Sequence, residues 1–182
     1  MAKASKPRRT ASKSARAKPR ITSPIRPTTP ANTYTSKPVS IEFAGPNHRF
    51  ASADLEILGI DHSKASYEGR VFFNNPKANA KTPMTLDQGY AGSFYIFGHG
   101  GCFGNVGHCD INKPLDDYDY RGPSPLTPTL ARIEVTDALR QFAKTNSDIS
   151  ITIVPVVSAA NELCDIKNVF HFQQMRFLSY NA

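Results

Sequence analysis

The chain has 182 residues and a formal net charge of +7, long enough for one domain with a proper core and too short for two of ordinary size. The charge is segregated: residues 1–38 carry ten Lys or Arg and no acid, whereas 39–182 carry twelve basic and fifteen acidic residues, a net −3. The longest apolar runs, Ile149–Val157 and Gly92–Phe97, fall far short of the roughly 18 residues of a membrane helix, and three cysteines are too few and too odd in number for a secreted disulfide scaffold.

Residues 1–38 are largely Lys, Arg, Ser, Thr, Pro and Ala, with Ile21, Ile25 and Tyr34 as their large apolar side chains. So little apolar area cannot offset the entropy of ordering a backbone, which predicts a disordered tail. Lys3, Lys6, Arg8, Arg9, Lys13, Arg16, Lys18 and Arg20 are its candidate contacts to nucleic acid or another polyanion. A solvated linker is the plainer use of such a tail, and no aromatic side chains interleave the basic ones for stacking on bases. The starting Met1-Ala2-Lys3 and the pair Arg8-Arg9 are followed by no apolar stretch of about 7–15 residues. The expectation is a chain that is not exported and resides in the reducing cytoplasm.

From Val39 the pattern changes to the alternation Val39-Ser40-Ile41-Glu42-Phe43, the period of a half-buried strand, so the domain is expected over 39–182. Further strands are predicted at Ala53–Ile60, Gly69–Phe73, Gly92–Phe97, Leu130–Val135, Ile149–Val157 and Val169–Leu178, set apart by Gly, Pro, Asn and Asp. Together these segments read as an all-β, antiparallel β-sandwich of about seven strands. One short helix is predicted at Thr136–Lys144, with Thr136 as its cap and Leu139, Phe142 and Ala143 on one face. Long loops remain at Asn74–Gly89 and His99–Pro128, and loops of this length in a compact domain point to function.

The second loop carries the densest chemistry: Gly98-His99-Gly100-Gly101-Cys102-Phe103-Gly104-Asn105-Val106-Gly107-His108-Cys109. His99, Cys102, His108 and Cys109 are candidate ligands for Cu(I) or zinc, since thiolate plus imidazole selects soft and borderline ions. The spacing matches no common zinc pattern, and the same residues equally suit a Gly-rich turn in which Cys102 and Cys109 form a disulfide or are simply buried. Cys164 reads as a plain buried thiol, Asp116-Asp117-Tyr118-Asp119 as a solvated loop, and His48, His62 and His171 as isolated. No His-x-x-x-His pair, Gly-x-Ser-x-Gly, phosphate loop or dinucleotide fingerprint occurs.

Leu55-Glu56-Ile57-Leu58-Gly59-Ile60, Gly69-Arg70-Val71-Phe72-Phe73-Asn74-Asn75-Pro76, Tyr90-Ala91-Gly92-Ser93-Phe94-Tyr95-Ile96-Phe97-Gly98-His99-Gly100 and the Cys/His loop together resemble the C-terminal β-sandwich domain of bacterial tyrosinases and polyphenol oxidases, and more distantly that of haemocyanins. Leu126-Thr127-Pro128, Val135-Thr136-Asp137-Ala138-Leu139 and Ile151–Val157 extend the likeness over nearly all of 41–180. The resemblance implies a module that packs on a His-rich helical catalytic domain, whose six histidines hold two coppers, and that shields the copper site with an aromatic side chain or assists copper loading. Phe103 and Tyr95 are the aromatics nearest the loop. This chain has five histidines in all, so the implied role is non-catalytic accessory or shielding domain, with a structural or interaction protein acting through its basic tail as the alternative.

Overall fold

The computed structural model describes residues 32–41, 50–100, 126–142, 148–157 and 166–181. The described residues hold nine strands, all paired antiparallel, and one helix. In chain order the strands are β1 Tyr34–Thr35, β2 Val39–Ser40, β3 Ser52–Ile60, β4 Tyr67–Phe73, β5 Tyr90–Ile96, β6 Thr129–Glu134, β7 Asp148–Ile149, β8 Ile151–Val157 and β9 Gln174–Tyr180; helix α1, Thr136–Phe142, follows β6. One sheet has the order β1-β8-β4-β5, a second β6-β3-β9, and β2 with β7 forms a small ribbon.

Alternation explains how the two larger sheets meet. Leu55 and Ile57 of β3, with Ala131 and Ile133 of β6, face Val71 and Phe73 of β4, Phe94 and Ile96 of β5, and Ile151 and Ile153 of β8 in one continuous core. Burying side chains of this kind contributes about 1.5–3 kcal/mol each. β8 is buried at every position, because its second face is covered as well. Phe72, Val154 and Val156 on that outer face pack under Ala78, with Ala80 and Tyr90 alongside. The segment 74–89, expected from its length to be a functional loop, is therefore a structural cover, tied down where Arg70 donates to the Ala80 carbonyl at 3.1 Å and the Asn75 amide to the Gln88 carbonyl at 2.7 Å.

Four further departures from the sequence reading have physical causes. The run expected as one strand, Ile149–Val157, splits at Ser150, whose N–H donates to the Asn74 side chain at 2.9 Å while its carbonyl accepts from the Asn74 N–H at 2.9 Å. This clamp lets β7 pair with β2 and β8 pair with β4. Tyr34 and Thr35, assigned to the disordered tail, pair with Ile153 and Thr152, so ordered structure begins ahead of Val39. The strand expected at Val169–Leu178 forms its ladder over Gln174–Tyr180, since Phe170 and Phe172 stack on each other at 5.0 Å and meet Tyr34 edge-on to close the end of the sandwich. Thr136 is the first residue of α1 and not its cap: the Thr136 hydroxyl oxygen accepts from the buried Ala53 N–H at 3.0 Å, fastening the helix to the start of β3.

On the solvent side of the β6-β3-β9 sheet, Glu56 is only 2% exposed although it does not face the core. Arg176 and Arg132 cover it from the flanking strands, donating to its two carboxylate oxygens at 2.7 and 3.0 Å. These hydrogen bonds, Arg176 first, hold the Glu56 carboxyl below the usual glutamate range.

Candidate functional site

The sandwich end that launches the Cys/His loop is built from three segments. β3 ends at Ile60 and the chain turns through Asp61, His62, Ser63 and Lys64 into β4, while β5 ends at Ile96 and runs out through Phe97, Gly98, His99 and Gly100. The Tyr67↔Ile96 register of β4 and β5 continues past the ladder and lays the second stretch against the first. Gly98 N–H donates to the Ser66 hydroxyl at 2.9 Å, His99 N–H to the His62 carbonyl at 2.8 Å and Gly100 N–H to the Lys64 carbonyl at 2.7 Å. The approach is so close that a Cβ on Gly98 would lie 2.0 Å from the Lys64 carbonyl oxygen. The third segment docks where Asp61 N–H donates to the His171 carbonyl at 2.9 Å and the Lys64 ammonium to the Asn168 carbonyl at 3.1 Å.

His99 is thus a partly buried residue in a strap held on both sides, and its ring stands edge-on to that of His62, centroids 5.0 Å apart. The sequence reading left His62 as isolated. The register of the β4–β5 hairpin is the signal that brings the two imidazoles together. His62 Nε2 lies 2.8 Å from the Thr127 carbonyl; a carbonyl can only accept, so Nε2 carries the proton. Cys102, His108 and Cys109, together with Phe103 and Cys164, lie outside the described residues, as do Lys3, Lys6, Arg8, Arg9, Lys13, Arg16, Lys18 and Arg20. Among the described residues no group of three or more His, Cys, Asp or Glu is arranged to hold a metal ion.

Asp61 and Tyr67 set the electrostatics of this end. Burial works against ionisation of Asp61, but the Ser63 N–H donates to its carboxylate at 2.9 Å, and the positive fields of His171 and Lys64 add to that. The net effect holds Asp61 below the usual carboxylate range. Tyr67 is 4% exposed, and its hydroxyl is buried with no hydrogen-bond partner among the described residues. Burial, then the charge of Asp61, push that hydroxyl well above the ordinary tyrosine range, so Tyr67 serves here as a neutral aromatic packed edge-on against Phe94 and Phe170.

Tyr95 and Phe97, which lead into the strap, are 65% and 82% exposed. Edge strand β5 turns Tyr95 outward as Phe94 and Ile96 turn inward, and Phe97 follows directly after the strand's end. Elsewhere, a cleft of about 620 Å³ runs between β1 and β9, with Leu55, Phe172 and Met175 in its lining and Lys37 and Arg176 beside them. No helix among the described residues is long and apolar enough to cross a membrane.

No family model matches the chain, and no curated protein does. Among solved structures it is similar to latent aurone synthase, a polyphenol oxidase, from natural source, at 14% identity and a TM-score of 0.48, over 85% of this chain and 25% of that one. The recombinantly expressed latent enzyme gives 16% identity and a TM-score of 0.48, over 86% and 25%. The chain spans about a quarter of the length of the polyphenol oxidase structures it matches.

Proposed function

We propose that this chain is a non-catalytic accessory module of a tyrosinase-like phenol oxidase, shielding or servicing a copper site that a separate helical domain supplies. The observation that carries the reading is the pair Tyr95 and Phe97, exposed at and just past the end of edge strand β5, immediately before the Gly-rich loop. Two large aromatic side chains standing in solvent beside a rigidly strapped backbone form an anchor for a partner surface, because aromatic anchors on fixed elements contribute most of the energy of an interface. Four of the motifs that carry the family likeness fall on β3, β4, β5 and β8, strands of the core, and the one at 135–139 leads into α1. The five histidines of the whole sequence fall below the complement that the family's copper pair requires. On this reading Cu(I) or zinc would be held by His99, Cys102, His108 and Cys109, with the metal delivered to or guarded for the partner.

The test is twofold. Copper-supplemented full chain is assayed for quinone formation from catechol, where sustained turnover would sink the reading. The chain is then titrated into the helical copper domain of a tyrosinase from the same genome while catechol oxidation is followed. Binding with a change in rate, weakened about tenfold or more by Tyr95→Ala, Phe97→Ala, is expected; the absence of any complex overturns the proposal. The basic tail supports a second reading as a polyanion contact, resting on the segregation of ten positive charges into residues 1–38.

A further inference from the structure

We infer that the cleft between β1 and β9 is a binding site for a small aromatic carboxylate, its ring seated against Tyr34, Phe172, Met175 and Phe177 and its carboxylate facing Lys37. The inference is independent of the accessory reading and of the Cys/His loop.

The two sides of the sandwich are finished differently. Where β5 meets β6 the sheets close on each other, since a Cβ on Gly92 would lie 2.6 Å from Ile133 Cγ2. On the opposite side the edge strands are β1, of two residues, and β9, of seven. β1 does not run on to match β9, because Pro38 offers no N–H to a ladder and the chain passes into the β2–β7 ribbon. The mismatch leaves the cleft of about 620 Å³, inside the range of about 300–1,000 Å³ that small-molecule sites occupy.

Its lining has an apolar part and a cationic part. Tyr34, Phe172, Met175 and Phe177 each pack on the core and stay half-buried. Three rings and a thioether favour an aromatic body, because ring–ring and sulfur–ring contacts add to the area buried. Lys37 and Arg176 also line the cleft and no Asp or Glu does, which selects an anion. Arg176 is already engaged, donating to Glu56 at 2.7 Å, so Lys37 is the cation left to meet the carboxylate. The backbone that carries Lys37 is clamped: Ser36 N–H donates to the Ile151 carbonyl at 2.8 Å, Ile151 N–H to the Ser36 hydroxyl at 2.9 Å, and that hydroxyl to the Lys37 carbonyl at 2.7 Å. Only the Lys37 side chain then remains to be ordered on binding.

The full chain, with isotope-labelled methionine methyl groups, is titrated with sodium naphthoate and followed by NMR. The chain has three methionines: Met175 reports the cleft, Met84 the exposed cover over β8 and Met1 the tail. A saturable shift of the Met175 methyl with the other two unmoved is expected, with binding of the naphthylmethylammonium cation about tenfold or more weaker. An exposed ion pair alone contributes little, so the charge is reversed and not merely removed. Lys37→Glu is expected to weaken naphthoate binding about tenfold, whereas Lys81→Glu, the same charge change outside the cleft, stays within about twofold of wild type. No movement of Met175, equal movement of Met84, undiminished binding by Lys37→Glu or equal binding of the cation overturns the inference. So does a shift of Met175 on deleting residues 1–31, or on raising the chain's concentration alone, because the cleft would then hold the tail or a second copy.

Discussion

Replacing Gly98 by alanine should detach the strap that carries His99. The new Cβ would lie 2.0 Å from the Lys64 carbonyl oxygen and 2.5 Å from the Ala65 carbonyl carbon, and both are backbone atoms that cannot rotate away. Relief requires the two stretches to separate by about 1 Å or more, since non-bonded carbon and oxygen pack no closer than roughly 3 Å. Three hydrogen bonds hold the strap at 2.9, 2.8 and 2.7 Å, from Gly98, His99 and Gly100 N–H. Each contributes about 1 kcal/mol net, and water replaces part of that at a half-buried edge. The expected loss is about 1–3 kcal/mol, and at about 2–4 °C per kcal/mol for a domain of this size the melting temperature should fall by about 2–12 °C. Ser66→Ala, which removes one of the three bonds, should cost about a third as much. Thermal denaturation with amide exchange at His99 and Gly100 is the measurement. A melting temperature within about a degree of wild type, with both amides still protected, would refute the argument that these contacts bind the strap.

Three further outcomes are expected. Deleting residues 1–31 removes nine of the 22 basic residues and no acid, turning +7 into −2; retention on heparin should collapse with the melting temperature unchanged, whereas a deletion through Pro38 also removes β1 and should destabilise the fold. Glu56 and Asp61 both ionise more readily folded than unfolded, so their contribution is present above their ordinary values of 4.5 and 3.8 and is lost as pH falls through their lowered folded values. Glu56→Gln should accordingly flatten the acid limb of a stability–pH profile, and an unaltered limb would count against the arginine clamp. Elemental analysis and native thiol counting of the purified chain should find Cu(I) or zinc with Cys102 and Cys109 reduced; both thiols resisting alkylation until reduction, with no metal, would identify the loop as a disulfide-closed turn.

The parts of this fold that were legible in sequence are those whose signal is local. Ala131 and Ile133 alternate with Arg132 and Glu134, and that period alone locates β6 and its inner face. The run Ile149–Val157 reads as a strand from its β-branched composition and not from any alternation. What escaped depends on distant partners. Ser150 ends one strand and begins another only because Asn74, far away in sequence, clamps it on both sides. Tyr34 and Thr35 sit among Pro, Ser and Lys and become a strand only by pairing with β8. Val169–Phe172 has strand composition, yet its aromatic rings are used to plug the sandwich end. His62 looked isolated because no second histidine lies near it in sequence, and its neighbour His99 arrives through hairpin register.

The cover over the outer face of β8 divides the protein's apolar material into two separate stores. The larger lies between the sheets, whereas Phe72, Ala78, Val154 and Val156 form a small one under residues 74–89. Peeling that cover back sacrifices only the small store and a few surface hydrogen bonds, so it can open at a fraction of the free energy of global unfolding. Once open, it bares an apolar stripe on the middle of a sheet, the kind of surface on which chains adhere to one another. The segment 74–89 therefore acts as the fold's own guard against self-association, and the first damage from heat or from a weakened Ala78 contact would be clumping of molecules whose main core is still intact.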